Sequence, residues 1–184
     1  MTKIINIFGG PCAGKSTVAA DLFSVMKRRH LSTELVTEYA KSLVYQGREK
    51  ILQEEQLYIF AKQLLQQKSI YGQADFVVTD SPILLSAIYC KVDGFVPKNA
   101  FQHLVVETFD AYDNINILLE RNKKFPYDSK GRTQKDVKEA EEVDIKIKNF
   151  LIEYNIPFIS LVSDEKTAKV ICQYIMEKDR YERF

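Results

Sequence analysis

Cysteine and histidine are scarce: three and two among 184 residues. Cys12, Cys90 and Cys172 stand alone without C-x-x-C spacing, and His30 and His103 have no nearby ligand partner. Neither a disulfide framework nor a structural metal site follows. An excess of one charge is also lacking. The 26 Lys and Arg against 25 Asp and Glu leave a net charge of +1, which excludes a generally basic nucleic-acid coat and confines any DNA contact to a local patch. No apolar run reaches transmembrane length and no secretory pattern opens the chain, so a cytoplasmic protein with no membrane partner is expected. Repeats, low-complexity tracts and dividing linkers are missing as well. With 46% hydrophobic and 28% charged residues, residues 1–184 read as a single domain able to bury a core, of open oligomeric state.

What is present begins at residue 3. Lys3-Ile4-Ile5-Asn6-Ile7-Phe8 is a β-branched apolar run that feeds into Gly9-Gly10-Pro11-Cys12-Ala13-Gly14-Lys15-Ser16-Thr17, the pattern G-x-x-x-x-G-K-[ST]. Val18, Leu22, Val25 and Met26 then recur at helical spacing. Strand, glycine-rich turn and helix in that order make a phosphate-binding loop. Gly9 and Gly14 allow backbone conformations that aim N–H groups at phosphate, Lys15 reaches the β- and γ-phosphates, and Ser16 offers a hydroxyl to Mg²⁺. The helix adds the positive end of its dipole. Cys12 suits the turn as a small side chain; a reactive role is the alternative.

Short apolar runs at 3–8, 34–37, 76–79, 115–119 and 157–161 alternate with helical patterns near 15–30, 51–70, 82–90, 98–111, 134–154 and 165–177. This alternation predicts an α/β fold, a five-stranded parallel sheet covered by helices on both faces. Leu57, Ala61, Leu64 and Leu65 form one apolar stripe, and Val137, Ala140, Ile147, Leu151 and Tyr154 another, both expected to face the core.

Two acids follow predicted strands. Phe76-Val77-Val78-Thr79-Asp80-Ser81-Pro82 has the form of a Walker B element, whose carboxylate orients Mg²⁺; the alternative is that Asp80 caps the next helix. Glu38, in Thr37-Glu38-Tyr39-Ala40-Lys41, should emerge at the same sheet edge, where a carboxylate could orient an acceptor hydroxyl and take its proton. A solvated acid opening a helix is the competing reading. The segment from Glu120 to Gln134 carries Arg121, Lys123, Lys124, Lys130 and Arg132 among loop formers, a candidate lid over about 121–133. Arg121 and Arg132 are expected to close over a transferring phosphoryl group, with Thr133 and Asp136 in a capping-box pattern at the distal hinge; a charged solvated loop is the competing reading, and the better one for the lysines.

Together, Gly9 to Thr17, Glu38-Tyr39-Ala40-Lys41, Thr79-Asp80-Ser81-Pro82 and Gly131-Arg132 resemble the compact P-loop kinases that include the nicotinamide riboside kinase domain and related phage proteins. Deoxyribonucleoside kinases are a more distant resemblance, in which a glutamate after the second strand serves the acceptor hydroxyl. The resemblance implies a P-loop NTPase fold, ATP and Mg²⁺ as cofactors, and transfer of the γ-phosphoryl group to a hydroxyl of a nucleoside-type acceptor. Lys15, Glu38, Asp80, Arg121 and Arg132 would act in catalysis, Ser16 and Asp80 at the metal, and Val162-Ser163-Asp164 near adenine. The similarity to the phage 5-hydroxymethyluracil DNA kinases, with a cationic lid whose Arg121, Lys123, Lys124, Lys130 and Arg132 could track a phosphate backbone, makes a modified base in DNA the preferred acceptor; a free nucleoside or nicotinamide riboside is the alternative. A nucleotide-dependent regulatory ATPase is the reading from another class.

Overall fold

The computed structural model describes residues 1–90, 96–128 and 136–182. Strand β1 (Lys3–Phe8) leads into helix α1 (Lys15–Arg28), then β2 (Thr33–Val36), three helices α2 (Tyr39–Tyr45), α3 (Glu49–Glu54) and α4 (Gln56–Ile70), and β3 (Phe76–Thr79). After α5 (Leu85–Tyr89) and α6 (Lys98–Asp110) come β4 (Asp113–Glu120), α7 (Val137–Glu153), β5 (Ile159–Val162) and α8 (Thr167–Glu182). The strands form one parallel sheet in the order β2-β3-β1-β4-β5. The predicted fold, a five-stranded parallel sheet with helices on both faces, is the one observed.

Period-2 geometry sorts the strand side chains onto two faces. Ile5 and Ile7, with Val78, Ile117 and Leu119, meet Leu22 and Met26 of α1 and Ile171 and Cys172 of α8. Phe8 and Leu118 turn the other way, toward Phe60 of α4, Ile88 of α5, Phe101 and Val105 of α6, and Ile147 and Leu151 of α7. The layer between sheet and helices is therefore closed on both sides. One polar row crosses it: the buried Asn6 amide of β1 donates to the side-chain oxygens of Asn114 (2.8 Å) and Asn116 (3.0 Å) of β4.

Several boundaries differ from expectation. The helix predicted over 51–70 is broken between Glu54 and Gln56, and α2 precedes it. On α4 the buried positions are Ile59, Phe60, Gln63 and Gln67, whereas Leu57 and Leu65 are 40% and 62% exposed. Of the predicted stripe only Leu64 packs against the core. Pattern alone chose the leucines, but tertiary packing turned a face with two glutamines inward. Residues 82–84 precede α5, so the predicted 82–90 helix shortens to five residues. Helix α7 starts at Val137, with Asp136 as N-cap accepting the Glu139 N–H at 3.0 Å. The hinge residue Thr133 lies outside the described residues. Val137 is 45% exposed, while Ala140, Ile147 and Leu151 are buried as expected.

Candidate active site

In an open parallel sheet, ligands sit beyond the carboxyl ends of the strands, where successive connections leave toward opposite faces. Here α1 leaves β1 toward one face, while α5 and α6 leave β3 toward the other. The crevice therefore opens between the ends of β1 and β3. The strand order places the segments that follow the strands in one row: Glu38 after β2, Asp80 after β3, the phosphate loop after β1, Arg121 after β4, and Ser163 after β5. With neighbouring strands about 4.8 Å apart, Asp80 lies roughly one strand spacing and Glu38 roughly two from the loop's origin.

The loop is shaped by backbone geometry. Gly14 ends it at φ +91°, and a Cβ there would also fall on the Ser163 hydroxyl. Cys12 takes the left-handed conformation too, at φ +60°, and its thiol donates to the Asp128 carbonyl at 2.9 Å. That bond gives Cys12 a structural tie to the segment after β4. The Gly10 carbonyl accepts both the Ala13 N–H (3.3 Å) and the Lys15 ammonium (3.0 Å), so the lysine arches back over the loop. Gly14 supplies no side-chain cap, and the first helical bond runs from Val18 N–H to Gly14 O. The opening turn, with Ser16 and Thr17 exposed, presents its amides at the sheet edge, a geometry suited to an anion.

A residue the sequence reading missed braces this loop. Asp144 of α7 accepts the Gly10 N–H on Oδ1 at 2.6 Å and the Arg121 Nε on Oδ2 at 3.0 Å. Arg121 also donates to the Pro11 carbonyl at 2.7 Å. Helix and loop come so close that a Cβ on Gly10 would overlap Asp144 Oδ1 and approach the Ala140 carbonyl to 2.9 Å. Burial pushes the Asp144 carboxyl above the ordinary carboxylate range, against the opposing pull of Arg121, the Gly10 N–H and Lys15. In this arrangement the Arg121 guanidinium is engaged with the phosphate loop and only 12% exposed. Arg132 lies outside the described residues. The signal for Asp144 was present in the sequence, since Ala140, Asp144, Ile147 and Leu151 are spaced 4, 3 and 4 apart and place a charge within an apolar stripe.

Asp80 is 4% exposed and its Oδ1 has no hydrogen-bond partner among the described residues. It does not cap α5, which begins at Leu85 without a side-chain cap. A buried carboxylate oxygen left unmatched one strand from a phosphate loop fits a hydrated Mg²⁺, with the exposed Ser16 hydroxyl as the companion ligand. Glu38 stands at the N-cap of α2 but makes no side-chain cap bond. Beside it the Tyr39 and Tyr58 hydroxyls meet at 2.7 Å, and that bond, with burial, holds the Tyr39 phenol above its ordinary pKa. In the predicted adenine region Asp164 is committed to the start of α8, accepting from Lys166 N–H (2.8 Å) and the Thr167 hydroxyl (3.0 Å). Those bonds lower its pKa.

A family profile described as AAA domain matches residues 4–167. The chain belongs to the AAA domain family. Solved structures similar to this AAA domain include a deoxyadenosine kinase from M. mycoides with bound dCTP: 21% identity, TM-score 0.59, 97% of this chain and 99% of that one covered. The same enzyme with bound dATP gives 20% identity, TM-score 0.58, and 96% and 99% coverage. At such identities the likeness establishes a shared fold over nearly the full length of both chains. No curated protein matches the sequence significantly. No helix among the described residues of this AAA domain is long and apolar enough to cross a membrane.

Proposed function

We propose that this chain is a kinase that moves the γ-phosphoryl group of ATP to a hydroxyl of a nucleoside-type acceptor. The observation that carries the reading is the row Glu38, Asp80 and phosphate loop on the adjacent strand ends of β2, β3 and β1. That row supports reading Glu38 as the acceptor-side carboxylate and Asp80 as the metal-side carboxylate beside one triphosphate cradle. ATP with Mg²⁺ supplies the transferable group and neutralises charge on it. The first-turn amides and Lys15 hold the phosphates, and Asp80 with Ser16 orients the metal. Glu38 positions the acceptor hydroxyl and takes its proton, while Arg121 and Asp144 keep the loop in shape. Adenine would rest against the loop after β5, where Ser163 adjoins Gly14.

A deoxynucleoside is the first acceptor to test, because the fold is shared with deoxyadenosine kinase. The alternative acceptor, 5-hydroxymethyluracil in DNA, rests on the resemblance to phage kinases and on the five lid cations, which could track a phosphate backbone. Arg121 is committed to Asp144 and Pro11, which leaves Lys123 and Lys124 as the exposed cations of that set among the described residues. Lys130 and Arg132 lie outside the described residues. The free nucleoside is the better-supported acceptor, because the fold is shared with deoxyadenosine kinase.

The test is incubation with γ-labelled ATP and Mg²⁺ beside deoxyadenosine, other nucleosides, nicotinamide riboside and 5-hydroxymethyluracil DNA. Label in a small molecule supports the proposal, and label only in DNA returns the modified base. Release of phosphate to water alone would replace the kinase by a regulatory ATPase. Lys15→Ala should fold normally and transfer nothing; wild-type turnover in that variant would overturn the assignment.

A further inference from the structure

Helix α2 opens at Tyr39 directly behind Glu38, and the acid does not cap it. Its first amide is satisfied from another helix. Gln63 of α4, 3% exposed, accepts the Tyr39 N–H on Oε1 at 3.0 Å and donates from Nε2 to the Thr37 carbonyl at 3.3 Å. One planar amide thus grips the residue before Glu38 and the residue after it. Two bonds of fixed relative direction leave that corner little freedom to turn. A capping carboxylate at Glu38 would take the Ala40 or Lys41 N–H, and the acid makes no such bond.

We propose that Gln63 is a positioning residue: by holding the Tyr39 N–H and the Thr37 carbonyl it fixes the 37–39 backbone so that the Glu38 carboxylate faces the crevice beside Asp80. The proposal rests on the kinase reading given above. A core position on a helix is an expensive place for a primary amide unless both of its ends are used, and here each has a backbone partner. The neighbouring contact points the same way. Tyr58, five residues before Gln63 on α4, holds the Tyr39 hydroxyl at 2.7 Å, so α4 grips the α2 start through side chain and backbone alike. Displacement of a reacting group by about 1 Å can cost about 100-fold in rate, which makes a corner clamp a kinetic device and not only a packing detail.

Gln63→Met keeps the length and removes both bonds; Gln63→Glu keeps the acceptor for Tyr39 and loses the donor to Thr37. With deoxyadenosine, or whichever acceptor the labelling panel identifies, Gln63→Met should lower kcat about 10- to 100-fold and change the KM for ATP less than about twofold. Hydrogen exchange at the Tyr39 amide should quicken in Gln63→Met and stay near wild type in Gln63→Glu. In a Glu38→Gln background, Gln63→Met should subtract less than about twofold more, because its effect passes through the same carboxylate. An equal loss in both backgrounds, an unchanged kcat, or failure of both variants to fold would reduce Gln63 to a structural residue and overturn the proposal. A Glu38→Gln variant with wild-type kcat would instead remove the base assignment itself, a result readable without any Gln63 variant.

Discussion

Asp144→Ala tests whether the phosphate loop is held by helix α7. The wild-type carboxylate joins the Gly10 N–H at 2.6 Å and the Arg121 guanidinium at 3.0 Å. Truncation leaves the amide without its acceptor and the guanidinium with the Pro11 carbonyl at 2.7 Å. A hydrogen bond to a charged group contributes about 1.5–3 kcal/mol, and breaking a fully buried ion pair costs about 3–5 kcal/mol. This pair stands short of that limit, because the side chains are 12% and 25% exposed and burial already penalises the ionised carboxyl. The expected loss is about 2–4 kcal/mol, or a fall in Tm of about 4–16 °C for a domain of this size. Asp144→Asn keeps an acceptor for Gly10 and should cost less than half as much. Urea unfolding of wild type, both variants, Arg121→Met and the Asp144→Ala/Arg121→Met double variant gives the coupling directly. ATP affinity should fall with stability in Asp144→Ala, since the loop loses its outer support. A loss below about 0.5 kcal/mol, the range of an exposed pair, would refute the brace.

Three further outcomes are expected. Asp80→Asn should raise the Mg²⁺ needed for half-maximal turnover while leaving stability unchanged or higher by about 1 kcal/mol, since it neutralises a buried group with an unmatched oxygen; destabilisation by more than about 1 kcal/mol would show a structural role. Gly14→Ala should cost about 1–3 kcal/mol from strain at φ +91° in addition to its clash with Ser163, so the Ser163→Ala second change should restore melting only in part, and full restoration would show the φ to be unimportant. The folded Asp144 carboxyl is raised, so stability from this group is fully present below the ordinary carboxylate pKa and is lost as pH rises through the folded value. The unfolding free energy of wild type minus that of Asp144→Asn should therefore decrease from acid toward neutral pH, and a flat or rising difference in urea titrations would contradict the assignment.

The phosphate loop, the α/β class and the strand ends were legible because each depends on residues adjacent in the chain. Glycine at 9 and 14 with lysine at 15 announces the loop through backbone freedom and charge, and runs such as 76–79 announce strands buried on both faces. Helix faces were less legible. Leu57 and Leu65 satisfy the helical period as well as Ile59 and Phe60 do, and only contact with the sheet selects between them. The roles of Gln63 and Asp144 are not legible in the sequence because polar residues on a helix are normally solvated, and their partners are backbone groups 24 and 134 positions away in Tyr39 and Gly10. Sequence by itself determined that Glu38, Asp80, the loop and Arg121 each follow a strand. It could not determine which strand ends are neighbours, since that follows from the order β2-β3-β1-β4-β5, set by how whole strands pair. Nor could it decide that Arg121 turns onto the phosphate loop: the acid that draws it there lies 23 residues later on α7, and only docking of that helix on the sheet brings the two charges within 3.0 Å.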